Sequence, residues 1–112
     1  MLGLGTWEFN VDTMFYRGRV LLMVNEKDGA YEIAIDIPGM DVPDFKVVSI
    51  VAEDGNTDAA GTVTGTAQTD LLRGKDIPFS ITFDGDTADG FLKVPFMGKF
   101  TMRDGKRIAC AN

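Results

Sequence analysis

The side chains that most often do chemistry are scarce in this chain. It contains no histidine, which removes the commonest general base, the usual haem ligand and most zinc chemistry together. Its one cysteine, Cys110, has neither a partner for an internal disulfide nor an imidazole to activate it. The carboxylates fall in turns or on outward faces, so no inward pair is set up for acid–base work. Two acidic stretches approach a calcium loop, Asp84-Gly85-Asp86-Thr87-Ala88-Asp89-Gly90 and Asp54-Gly55-Asn56-Thr57-Asp58. Both miss its spacing. The first has its third carboxylate one place late, and the second has Ala59 where the sharp-turn glycine belongs and no closing Glu. Both read as hairpin turns, and the chain as a non-enzyme without a metal site or cofactor.

Charge narrows the partners. A net charge of -6 argues against nucleic acid, which asks for a clustered basic face. With 45% hydrophobic and 25% charged residues, the 112-residue chain suits one ordinary globular domain, 1–112, with a single core. No apolar run approaches the roughly 18 residues of a membrane-spanning helix. Met1-Leu2-Gly3-Leu4 is uncharged and too short for a signal peptide. The chain as it stands reads as cytoplasmic, or as secreted or periplasmic if a leader precedes it.

The elements that must position any site are strands. Trp7, Phe9 and Val11 alternate with Thr6, Glu8 and Asn10, the period of a half-buried strand. The same alternation recurs over 16–25, 30–37 (Tyr31, Ile33, Ile35, Ile37) and 77–83 (Ile77, Phe79, Ile81, Phe83). Weaker strands are read at 45–52, 58–67, 87–94 and 96–103, with Asp104-Gly105-Lys106-Arg107 taken as a turn after the last. Asp28-Gly29, Asp54-Gly55 and Asp84-Gly85 supply the left-handed backbone of tight hairpins. The longer breaks are 38–44, with two prolines and a glycine, and 68–76, where one helical turn ends at Gly74. Eight strands without crossover helices form an up-and-down antiparallel barrel or, alternatively, a β-sandwich. The lack of a short, Lys-studded edge favours the barrel, whereas Pro78 interrupts a closed ladder.

Gly5-Thr6-Trp7 at the start, the eight-strand meander, and Gly98-Lys99-Phe100 followed by Arg103 resemble the calycins, above all compact bacterial lipocalin-like domains. The resemblance implies that Trp7 plugs one barrel end with a basic side chain over its indole, Gly5 and Trp7 being structural rather than catalytic. Arg103 is the first choice for that cation. Arg107 is the alternative, since strict alternation gives Arg103 the face opposite Phe100 and Met102, and a bulge at Gly105 could re-aim the strand. This chain lacks the long helix and disulfide of typical lipocalins.

The resemblance further implies non-covalent binding of a small hydrophobic molecule inside the barrel, lined by Tyr31, Ile33, Ile35, Phe79, Ile81 and Phe83. Tyr31 is the candidate polar handle. Arg17 and Arg19 face away, so the expected ligand is neutral or weakly polar. Gly18, Gly61, Gly65, Gly90 and Gly98 either leave a void for it or serve strand coiling in a filled core. The loops 38–44 and 68–76 share the end opposite Trp7 by the parity of a meander and form the candidate mouth. With a filled core the alternative is an interaction module, a homodimer joined through outward Leu21, Met23, Met40, Val42, Val48, Ile50 and Phe91. A one-residue shift in the fourth strand would take Val48 and Ile50 out of that patch.

Overall fold

The computed structural model describes residues 2–12, 17–38, 46–52, 57, 59–69, 73–95 and 98–109. Most of the loop 38–44, the Asp54-Gly55-Asn56 turn, residues 70–72 of the second long loop and Cys110 lie outside them. The strands are β1 (Gly5–Asp12), β2 (Arg17–Lys27), β3 (Ala30–Asp36), β4 (Lys46–Ala52), β5 (Ala60–Gln68), β6 (Ile77–Asp84), β7 (Thr87–Val94) and β8 (Gly98–Ala109). They form one antiparallel sheet in the order β3-β2-β1-β8-β7-β6-β5-β4. This is a nearly closed up-and-down barrel rather than a sandwich. The seam lies between β3 and β4, which end the sheet, and no ladder joins them among the described residues.

The core follows from the alternation. Trp7, Phe9 and Val11 of β1, Val20, Leu22 and Val24 of β2, and Ile77, Phe79, Ile81 and Phe83 of β6 are all buried. Burial of these side chains on one face of each strand is the main drive for curling the sheet. Pro78 is exposed, stands opposite Thr66 in the β5–β6 ladder and precedes the first β6–β7 pair, Phe79 with Leu92. Its missing N–H is therefore outside the β6–β7 ladder.

Two strands break the simple period. In β8, Asp104-Gly105 is not a turn: the strand continues to Ala109. Asp104 takes a left-handed φ of 52°, and the register against both β1 and β7 slips by one residue at this point. This bulge places Met102 and Gly105 in the interior and brings Arg107 to the inner face. In β4 the register slips between Val47 and Ser49. Val47 and Ile50 thereby pack on the core, while Val48 and Val51 point out.

Candidate functional site

The closed end is built on β1 and β8. Trp7 is fully buried, donates its indole N–H to the Gly3 carbonyl at 2.8 Å, and meets the tilted ring of Phe83 at 4.9 Å between centroids. Arg107 is its direct partner across the β1–β8 ladder, and the guanidinium carbon lies 4.8 Å from the indole centroid. The cation over Trp7 is therefore Arg107 and not Arg103, because the bulge at Asp104 inverts the facing of everything after it. Arg103 is exposed and pairs across the ladder with Asn10. Arg107 is anchored to the β6–β7 turn, donating its backbone N–H to the Asp86 carbonyl at 2.9 Å and Nη1 to Asp86 Oδ1 at 2.8 Å. Thus Asp86, in the stretch that faintly resembled a calcium loop, is committed to an arginine. Gly5 explains the Gly-x-Trp spacing. Its φ is +128°, and a Cβ there would sit 2.7 Å from the Ala109 carbonyl oxygen and 3.3 Å from Arg107 Cδ and Nε.

The interior brings together the residues expected to line a ligand site, and packs them. Phe79, Ile81 and Phe83 are buried, while Tyr31, Ile33 and Ile35 on β3 are half-buried. All six border one or the other of two small voids, of about 10 and 20 Å³. Each is the size of a single water. At Gly65, Gly90 and Gly105 the missing side chains do not open interior space, because neighbours fill it. A Cβ at Gly65 would meet the Phe79 ring at 2.7 Å, and one at Gly105 would meet the Phe9 ring at 2.4 Å. The Tyr31 hydroxyl donates to the Leu2 carbonyl at 2.7 Å. It thereby holds the N-terminal segment, whose Leu2 is buried in the core, across the barrel end. Arg17 and Arg19 lie outside as expected, paired with Asp12 at 2.8 Å and Glu8 at 3.2 Å.

Along the seam, inward side chains stay half-exposed on both flanking strands. Ile33 and Ile35 on β3, and Val47 and Ile50 on β4, pack against the core without full burial, and both voids border this seam. The expected outward patch is dispersed. Ile50 turns inward, Leu21, Met23 and Phe91 are half-buried, and Met40 and Val42 lie outside the described residues. Val48 remains, joined by Val51, at 55% and 61% exposure.

A further concavity was not foreseen. Among the described residues, β1 pairs with β8 only as far as Val11 and Met102. Beyond that point the β1–β2 hairpin and the start of β8 part and leave a cleft of about 470 Å³. Asn10, Asp12 and Arg17 form one wall, and Lys99, Thr101 and Arg103 the other, with Asp104 beside Arg103. The period-two spacing of Lys99, Thr101 and Arg103 was the available signal, but it becomes a site only where the two hairpins separate.

The fold and its plugged end define a class, a small eight-stranded up-and-down barrel whose one Trp is capped by an arginine. No family model matches the chain, nor does a curated protein or a solved structure.

Proposed function

We propose that this barrel is a non-catalytic binding module that works at its open seam, and that β4 pairs with a second copy of the chain. Val48 and Val51, exposed on a terminal strand that pairs with β5 along one edge only, carry this reading. The two edges of the seam differ. β3 bears exposed Glu32 and Asp36, charges of the kind that guard an edge, whereas β4 beyond Lys46 has neither charge nor proline. An unguarded edge is a template for another strand. Antiparallel pairing of β4 with its own copy about a two-fold axis is self-complementary and gathers the exposed valines of both copies on one face.

A second reading keeps the small hydrophobic ligand. It is supported by the position of both voids along the seam and by the six side chains that border them. In this reading the ligand enters by parting β3 from β4, because the two voids that the described residues border are each water-sized. The likeness to lipocalin-like domains belongs to the same reading, and rests on the meander and on Arg107 over Trp7.

Light scattering after size exclusion, run over a wide concentration range, tests the first reading. The expected outcome is a dimer mass for the native chain and a monomer for Val51→Lys. A native chain that is monomeric throughout overturns it. Native mass spectrometry after gentle purification tests the second, through the mass of a co-purified apolar molecule.

A further inference from the structure

The cleft at the end opposite Trp7 has the size and the chemistry of a small-molecule site. Its 470 Å³ falls within the range of about 300–1,000 Å³ typical of ligand pockets. The two interior voids, by comparison, hold about one water each. The cleft also concentrates positive charge on an acidic protein. Arg17, Lys99 and Arg103 line it against Asp12 and Asp104, a local balance of +1 (three cations less two carboxylates) in a chain of net charge -6.

The charges are not equivalent. Asp12 is taken up by Arg17 on the hairpin wall, at 2.8 Å. On the β8 wall Lys99, Thr101 and Arg103 share one face at alternate positions, so two cations flank a hydroxyl. Arg103 forms no ion pair or hydrogen bond among the described residues. Lys99 rests its ammonium over the Phe91 ring at 4.5 Å, and Phe91 is the strand partner of Thr101. This contact holds the Lys99 ammonium on the β7 side of the row. The row thus offers a point charge, a hydroxyl donor and a guanidinium fork, three kinds of donor that suit an anion with at least three acceptor oxygens. A carboxylate has two; a phosphate monoester has three on its terminal group. Asp104, next to Arg103, and Asn10, directly across from Arg103, add an acceptor and an amide that suit hydroxyl groups. Gly18, the strand partner of core residue Val11 on the opposite wall, has no side chain to raise that surface.

We propose that this cleft binds a phosphate ester of a small hydroxylated molecule, with the phosphoryl group on Lys99, Thr101 and Arg103 and the hydroxyls toward Asp104 and Asn10. The site lies away from β4, so it stands or falls independently of self-association.

Titration of ¹⁵N-labelled protein with ribose 5-phosphate, inorganic phosphate and ribose, followed by amide chemical shifts, tests it. The expected result is saturable shifts at Asn10, Thr101 and Arg103 with ribose 5-phosphate, weaker binding of phosphate alone, and no response to ribose at the same concentrations. The double variant Lys99→Gln/Arg103→Gln, checked for a native-like spectrum, loses affinity by about tenfold or more, as removal of charge-assisted hydrogen bonds requires. Lys106→Gln, an exposed change on the same strand outside the cleft, leaves it unchanged. Non-saturable shifts, equal binding by the double variant, or an equal loss in Lys106→Gln overturns the proposal.

Discussion

Arg107 stands directly across the β1–β8 ladder from Trp7 and lays its guanidinium 4.8 Å from the indole centroid. Its side chain runs past Gly5, and its Nη1 reaches Asp86 in the β6–β7 turn. One side chain thus ties the first strand, the last strand and a turn of the opposite half of the sheet. Its Nε is buried without a hydrogen-bond partner among the described residues, so the indole face and the Asp86 contact must offset that desolvation.

Replacing Arg107 by Ala therefore costs stability, and replacing Arg103 does not. The stacked cation contributes about 0.5–2 kcal/mol. The ion pair to Asp86 adds little, about 0–1 kcal/mol, because Asp86 is 79% exposed. Urea unfolding should show a loss of about 2 kcal/mol for Arg107→Ala, a change within ~0.5 kcal/mol for Arg103→Ala, and an intermediate loss for Arg107→Lys, which keeps charge but not the planar fork. Equal losses at 103 and 107 would contradict the stacking geometry.

Gly5→Ala should be more damaging than an alanine at an ordinary strand glycine. Two effects coincide: a positive φ that L-residues avoid, and a Cβ driven to 2.7 Å from the Ala109 carbonyl oxygen, a backbone atom that cannot swing away. The expected loss is about 2 kcal/mol or more. Trp7 emission in the folded variant should shift to the red as β1 and β8 separate. Unchanged stability and emission would mean that the strand end relaxes freely.

How far the sequence discloses this molecule depends on contrast. β1 and β6 alternate large apolar residues with polar ones, so their inward faces can be read from Trp7, Phe9, Phe79 and Ile81 directly. β4 cannot, because Val47, Val48, Ile50 and Val51 give both faces the same chemistry and only the bulge decides between them. Asp104-Gly105 misleads for a related reason: the left-handed residue that makes a hairpin turn elsewhere here makes a bulge within a strand. Nothing local separates the two uses. The glycines are equally ambiguous, since an absent side chain reads alike whether it leaves a void or, as at Gly65, receives a ring from the next strand. The far cleft depends on where the β1–β8 pairing stops, which is a property of register rather than of any one segment.

Tyr31→Phe isolates the contact that holds the N-terminal segment over the plugged end. It removes only the hydroxyl that donates to the Leu2 carbonyl at 2.7 Å, leaving the ring packed. A single hydrogen bond of this kind contributes about 1 kcal/mol, and the loss should be local. Hydrogen exchange should quicken at residues 2–4 while the amides of β6 and β7 keep their protection. Uniform acceleration across the barrel would instead make the segment part of the global folding unit.

Phe79 is the side chain on which the filled interior turns. It borders both voids, together with Ile33 and Ile81, and its ring occupies the space left by Gly65. Phe79→Ala should merge the two voids into one apolar cavity, at a cost of about 3–5 kcal/mol. That is a large share of the ~5–15 kcal/mol that holds a domain folded, so Phe79→Leu, which keeps most of the volume, provides a milder companion. A lipophilic fluorescent dye, added well below each variant's unfolding midpoint, reports the outcome. The native barrel should leave the dye dark, Phe79→Ala should bind it saturably, and Phe79→Leu should fall between. Saturable binding by the native chain at the same affinity would mean that the seam already admits an apolar guest, and would favour the small-ligand reading over self-association through β4.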